Sequence, residues 1–461
     1  MTTSNGKIWL PIINLSSCCN FVFLAFCAQN YKEQWWVLVI FMATRAVSLM
    51  ETNKKKVFPI VISGILESYD VVLYGLLAPV FAKIFFPDDF KHSLLAAFLI
   101  FSISFFVRPF GAVLWGYIGD KYGRKVVLIT TLTMMSIVSA GMACVPTYQS
   151  IGIASTIIIL LFRLIQGLAF SGELPTIMVM LYEVAPDNRK ATYSSLWDVV
   201  SNSGLVIGIL IITLLHSILD VKEVHAWGWR LCFGISVLFT FIIGYIRIST
   251  IETKPQYSHY SFYTLRHHWK NIIKIMLYMS SLNFLYYTIM LFNKVTIFKN
   301  SALKLSDFQA TMIHFSVVLV FVIMLPIMGF VADKIGLKKS SNITLWILIF
   351  ISAPLYYCLV FGNIPLLLLA CFTMSTALAL LASAYAPMFL RDCPIDHRIS
   401  ILGIAFSLSI LIGSFTPSVN EALSILLNTK MAPVIYFILS VVISLIVLNV
   451  DKIHFRGVTK S

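Results

Sequence analysis

From residue 57 to residue 450 the chain repeats one pattern about twelve times: roughly 20 predominantly apolar residues, then a short polar break. A run of that length, wound at 1.5 Å per residue, crosses the hydrocarbon layer of a bilayer as a helix, and a helix satisfies its own backbone polar groups there. The expected spans are 57–82, 92–118, 126–145, 151–182, 191–217, 228–249, 271–297, 308–331, 341–361, 364–389, 399–425 and 431–450. The longest polar interruption, Thr250 to Lys270, falls between the sixth and seventh and divides the runs into two sets of six. The predicted fold is all-α, with residues 50–249 forming an amino-terminal six-helix bundle, 250–270 a central loop, 271–450 a carboxy-terminal six-helix bundle and 451–461 a short tail. With 59% apolar and 12% charged residues, the composition lies outside the range of soluble domains.

A formal charge of +14 raises the question of nucleic acid, but the placement of the basic residues answers it. Lys54, Lys55, Lys56, Lys121, Arg124, Lys125, Arg189, Lys190, Arg266, Lys270, Lys338, Lys339, Arg391, Arg398, Lys452 and Arg456 fall in alternate loops, while the intervening loops are sparse. By the positive-inside bias the rich set is cytoplasmic, so both ends of the twelve-helix body lie inside. The partner implied is the lipid bilayer, not nucleic acid.

Residues 1–49 do not fit this pattern. Their two apolar stretches, Trp9 to Cys27 and Trp35 to Met50, are short and broken by Arg45, and no cleavage site of a signal peptide precedes the next apolar run. The preferred reading is an atypical extension with Met50 as the natural start; two additional helices are the rival and would preserve the topology. The eight cysteines show no paired CxxC spacing and read as reduced packing residues. Neither a GxxxxGK[ST] phosphate loop nor an HExxH zinc motif occurs, so the expected energy source is an ion gradient, with no cofactor.

Charges inside the spans are the best functional pointers, because each costs at least about 2.5 kcal/mol unless it has a partner, a watery cavity or a task. Glu67 and Asp70, three residues apart on the first span, lie roughly 16 to 20 Å from Lys56 by helical rise; Arg163, entering on the fourth span from the opposite side, reaches the same depth. Arg163 is therefore expected to face Asp70 or Glu67. Two readings stay open: a titrating site that loads and releases a proton, or a fixed brace between the two helices. Arg108, Glu173 and Asp198 fall within about 12 Å of the inner surface on three different spans, the placement of a gate network or of a static brace. The second half carries few deep charges, with Lys294, His314, Asn420 and Glu421 expected at the outer interface. Tyr74, Asn283, Tyr286, Tyr287, Tyr385 and Ser407 are the candidate lining of a solute cavity, able to hold a small polar or zwitterionic molecule by hydrogen bonds and cation–π contact.

Several strings, in order, are recognisable. GYIGDKYGRK at 116–125 resembles the loop motif between the second and third helices of the major facilitator superfamily, and GFVADKIGLKK at 329–339 is similar to its weaker copy between the eighth and ninth. RLIQGLAFSGE at 163–173 resembles the fourth-helix motif of the metabolite:proton symporter branch. LESYDVVLYGLLAP at 66–79, VRPFGAVLWG at 107–116, WGWR at 227–230, ETKP at 252–255 and SFTPS at 414–418 extend the match towards proline/betaine transporters. The departures are Ser171 for a usual glycine, Leu337 for an arginine, Ser68 for an aromatic, and no heptad run after the twelfth span.

The resemblance implies two pseudo-symmetric six-helix bundles, a centrally bound solute and alternating access by rocking. It implies that Arg163 serves proton coupling, that Asp120, Arg124 and Asp333 latch the inward-closed state, and that the protein works as a monomer in a bacterial inner membrane. The functional expectation is proton-coupled symport of a zwitterion such as proline or betaine, or of a small carboxylate, with no enzymatic chemistry. An uncoupled carrier of the same fold and a non-transporting sensor are the alternatives.

Overall fold

Among the described residues, twelve principal helices follow one another in chain order. A short helix, Lys54–Val61, leads into α1 (Ser63–Ile84). There follow α2 (Ser93–Tyr122), α3 (Arg124–Cys144), α4 (Ile153–Val184), α5 (Lys190–Ile218) and α6 (Trp229–Ile248). The second set is α7 (Trp269–Tyr287), α8 (Asp307–Ile335), α9 (Leu337–Phe361), α10 (Ile364–Leu390), α11 (Arg398–Gly413, continued by Thr416–Leu426) and α12 (Pro433–Asn449). This computed structural model describes residues 54–87, 89, 92–253, 267–292, 303, 305 and 307–450, all within one unit, Asn53–Ser461. The readings made for residues 1–49, most of the 250–270 loop, Lys294 and the tail 451–461 lie outside the described residues.

Among the described residues, 11 helices are long and apolar enough to cross a membrane, and α12 is a shorter apolar helix in the twelfth place. Their outer surface reverses the pattern of a soluble protein. Phe110 is 75% exposed, Tyr245 80% and Leu426 78%, an arrangement that only lipid covers without penalty.

Turn chemistry sets the helix starts. Gly123 and Gly336 have φ of 125° and 99°, values that glycine adopts freely, and they separate α2 from α3 and α8 from α9 at equivalent places in the two halves. At α10 the Asn363 side chain accepts the Leu366 N–H at 3.2 Å, and Pro365 occupies the first turn, where its missing N–H costs nothing.

Packing repeats with the sequence duplication. In the first bundle α1 packs on α5, α2 on α4, and α3 on both α4 and α6; in the second α7 packs on α11, α8 on α10, and α9 on both α10 and α12. The bundles meet along two equivalent crossings, α2 against α11 and α8 against α5. Both crossings close around a glycine. A Cβ on Gly116 would lie 2.7 Å from Ser400 Cα, and one on Gly329 would lie 2.9 Å from Thr192 Cα, so no larger residue fits without moving a backbone. At the far end of the first bundle Trp229 is fully buried, its ring 5.6 Å from Phe81 and 5.3 Å from Phe85.

Candidate functional site: a cross-bundle latch and buried charges

Both crossings end in the same device. Asp120, at the end of α2, accepts the N–H groups of Ile399 (3.3 Å) and Ser400 (2.9 Å) and the Ser400 hydroxyl (2.7 Å). Asp333, at the end of α8, accepts the N–H groups of Ala191 (2.8 Å) and Thr192 (2.9 Å) and the Thr192 hydroxyl (2.7 Å). Each carboxylate thus sits on the first turn of a helix in the opposite bundle, where free N–H groups and the positive end of the helix dipole attract it. The Asp of each loop motif reaches across, not along, its own chain segment.

Arg124 reinforces one of the two crossings. Its guanidinium bonds Glu183 of α4 at 3.0 Å and the Ile395 carbonyl at 3.4 Å, and Arg398 of the opposite bundle bonds the same Glu183 at 3.1 Å. Glu252, in the string ETKP, accepts the backbone N–H groups of Arg124 and Lys125, both at 3.0 Å, and so caps α3. At the other crossing Leu337 occupies the place of Arg124, and no equivalent ion pair forms there among the described residues.

The buried charges of the first bundle do not pair as helical depth predicted. Asp70 is fully buried and accepts the hydroxyls of Ser139, at 2.6 Å, and Ser236, which ties α1 to α3 and α6. Arg163 makes no ion pair among the described residues, although it lies within electrostatic reach of Asp70. Its guanidinium lies over the rings of Tyr74 (4.5 Å) and Phe101 (4.9 Å) and donates to the Gln166 side chain, the Phe101 carbonyl and the Ser104 hydroxyl. Tyr74, expected in the solute cavity, is 1% exposed and serves instead as a lid on Arg163. Helical rise orders residues along an axis, but the direction of a side chain around that axis is not legible in one sequence.

The trio Arg108, Glu173 and Asp198 also separates. Glu173 binds Arg247 of α6 at 2.7 Å and accepts the Thr131 hydroxyl at 3.2 Å. Arg247 further donates to the Ser63 hydroxyl and the Leu128 carbonyl, so this pair joins α1, α3, α4 and α6 inside one bundle. Sequence reasoning missed Arg247, although a lone arginine near the end of an apolar span was the available signal. Arg108, 4% exposed, is left between the rings of Phe105 (4.3 Å) and Phe170 (3.7 Å), and its Nε has no hydrogen-bond partner among the described residues. Among the described residues, half-buried Asp198 on α5 makes no ion pair either, and Glu67, 2% exposed, has no donor to either carboxylate oxygen.

Residues of the second half complete the bundle boundary. Tyr286 donates to the Asn202 side chain across it at 3.3 Å, and the Tyr385 hydroxyl contacts the Met178 sulfur at 3.3 Å. Asp198 lies within electrostatic reach of Tyr286 and Tyr385, and Arg108 of Tyr287, whose ring is 5.7 Å from that of Tyr286. Asn283 instead donates to Ser409 at 3.1 Å, and Ser407 is buried on α11. Asn420, expected at the interface, is fully buried and donates to Thr288 at 3.1 Å.

Two six-helix bundles, duplicated in sequence and joined by reciprocal caps at one end, define the class of membrane protein in which paired bundles move against each other. The chain belongs to the Major Facilitator Superfamily, whose family model matches residues 61–417. It is 27% identical over 412 residues to the glycine betaine/proline/ectoine/pipecolic acid transporter OusA of Dickeya dadantii, covering 85% of this chain and 82% of that one. It is 28% identical to the proline/betaine transporter of Salmonella typhimurium, over 83% of this chain and 80% of that protein. It is also 28% identical to the citrate-proton symporter of Klebsiella pneumoniae, over 80% and 85%. Among solved structures, the proton:xylose symporter XylE shares the fold with a TM-score of 0.68 at 16% identity, covering 86% of this chain and 95% of that one.

Proposed function

We propose that the protein is a secondary active transporter of a bacterial inner membrane that couples uptake of a small polar organic solute to protons by alternating access. The observation that carries this reading is the reciprocal latch: Asp120 on α11 and Asp333 on α5 hold the two bundles together at the basic end through contacts that separate as a unit when the bundles rock. With the basic end cytoplasmic, this state is closed to the cytoplasm. The names of relatives such as OusA and the citrate-proton symporter support solute transport, and the latter supports proton coupling.

Glu67 is the proton carrier in this reading. A carboxylate buried with no donor costs several kcal/mol, and a bound proton removes that cost. Arg108, close enough to act on Glu67 electrostatically, compensates the charge once the proton leaves. Asp70 and Arg163 have their partners already, Asp70 in two hydroxyls and Arg163 in Gln166, Ser104 and two rings, and act as braces of the first bundle.

The solute lies between the bundles, against two poles. Arg108, held flat by two rings and in no ion pair among the described residues, receives the acid group while Glu67 is protonated; Asp198, beside Tyr286 and Tyr385, receives the cationic end. One positive and one negative pole suit a zwitterion, whereas a di- or tricarboxylate would bring excess negative charge to Asp198. The test is uptake into proteoliposomes of labelled proline, glycine betaine, 2-oxoglutarate, citrate and shikimate, with an imposed inward proton gradient and then an uncoupler. Accumulation of a zwitterion that collapses with the uncoupler supports the reading. Uptake indifferent to the gradient leaves an uncoupled carrier, and accumulation of citrate overturns the two-pole site.

A further inference from the structure

On the outer face of α9, away from the bundle boundary, lies an open groove of about 640 Å³ lined by Lys338, Lys339, Asn342, Ile343, Trp346 and Ile347. We propose that it is a binding site for an anionic phospholipid of the leaflet at the basic end. Two adjacent exposed lysines form its rim, and Lys339 makes no ion pair or hydrogen bond among the described residues. Beneath them Asn342 and Asn449 exchange amide bonds of 3.2 and 2.8 Å, which fixes a polar shelf between α9 and α12. Further along, Ile343, Trp346 and Ile347 are 46%, 53% and 49% exposed, and the Trp346 ring stacks on Phe350, itself 72% exposed, at 6.5 Å.

The dimensions fit one lipid. From Lys339 to Phe350 the helix rises roughly 16 Å, about half of the hydrocarbon thickness, so an acyl chain can follow the apolar strip while its phosphate meets the lysines. Charge decides the kind of lipid, because a basic rim at the membrane surface attracts an anionic headgroup and gives a zwitterionic one no comparable attraction. A tryptophan at that depth is the usual anchor of the interfacial layer.

The equivalent place in the first half is built differently. There Val126 stands at the position of Lys339, Lys125 donates to the Ile248 carbonyl at 2.8 Å, and Glu252 lies on the same helix start. The basic groove thus belongs to one half of a duplicated structure, which an incidental consequence of the repeat would not produce.

The experiment uses the full-length protein in nanodiscs of phosphatidylcholine containing a minor fraction of brominated phosphatidylglycerol or brominated phosphatidylcholine. The Trp346 signal is the difference between the protein and its Trp346→Phe variant. Brominated phosphatidylglycerol is expected to quench that signal at roughly 25-fold lower mole fraction than the choline lipid, since each of the two lysines near a membrane surface favours an anionic lipid about fivefold. Lys338→Gln with Lys339→Gln is expected to abolish the preference and Lys338→Arg with Lys339→Arg to retain it. Equal quenching by both lipids, or a preference that survives the Gln pair, overturns the proposal. Loss of the preference in millimolar inorganic phosphate at constant ionic strength overturns it too, by assigning the groove to a soluble anion.

Discussion

Thr192 gives Asp333 both its backbone N–H, at 2.9 Å, and its hydroxyl, at 2.7 Å, and Ser400 makes the same pair of bonds to Asp120 in the other half of the molecule. The two halves therefore hold each other by exchanging one carboxylate each. Because hydrogen bonds to a charged group contribute about 1.5–3 kcal/mol apiece, losing even one shifts a two-state balance about tenfold or more.

Asp333→Asn is accordingly expected to open the basic end. A carboxamide carries half of the accepting capacity and brings N–H donors against the N–H groups of Ala191 and Thr192. Spin labels on α5 and α8 near the latch should report a larger population of long distances than in the parent protein. Asp120→Asn should act in the same direction but less strongly, since the Arg124–Glu183–Arg398 link still spans that crossing.

At Gly329 and Gly116 the prediction concerns size alone. Leucine at either position collides with the backbone of the facing helix, so the closed arrangement should be lost while each bundle stays folded. A thiol placed near Thr192 should then react faster with a hydrophilic maleimide, without a matching fall in the far-ultraviolet helical signal.

For Glu67, substitution by Gln should leave solute exchange intact and remove accumulation driven by a proton gradient, because an amide keeps the shape of the neutral acid and cannot release a proton. Asp70→Asn should retain coupling at reduced stability, since one of its two hydroxyl donors loses its charged acceptor. Loss of coupling in Asp70→Asn together with normal coupling in Glu67→Gln would reverse the assignment. Counterflow against gradient-driven uptake separates the two.

Arg247→Ala should destabilise the first bundle by about 3–5 kcal/mol, the cost of stranding a buried Glu173 without its cation. Adding Glu173→Gln should recover part of that loss. Thermal unfolding of the purified variants followed by cysteine reactivity measures both.

Arg108→Lys and Asp198→Asn should affect solutes differently. The first should weaken every solute that carries a carboxylate, since lysine lacks the planar fork that Phe105 and Phe170 hold. The second should weaken zwitterions about 10-fold or more while sparing, or improving, binding of simple carboxylates, as one charge-assisted contact is lost. Competition binding with a series of zwitterions and acids in detergent reads this apart from transport.

Hydrophobic run length determined much of this protein from sequence alone. The number of helices, their order and their duplication follow from counting apolar stretches, because a bilayer admits only closed hydrogen-bonded segments of fixed length. The loop strings at 116–125 and 329–339 likewise located Asp120, Arg124 and Asp333, since glycine turns with fixed charges leave a local trace. Which charge meets which was decided only by the tertiary structure. Arg163 and Asp70, placed at one depth by helical rise alone, turn to different neighbours, and Glu173 finds Arg247 instead of Arg108. The direction of a side chain around a helix axis depends on how that helix packs against others, and a uniformly apolar span carries no stripe from which to read it.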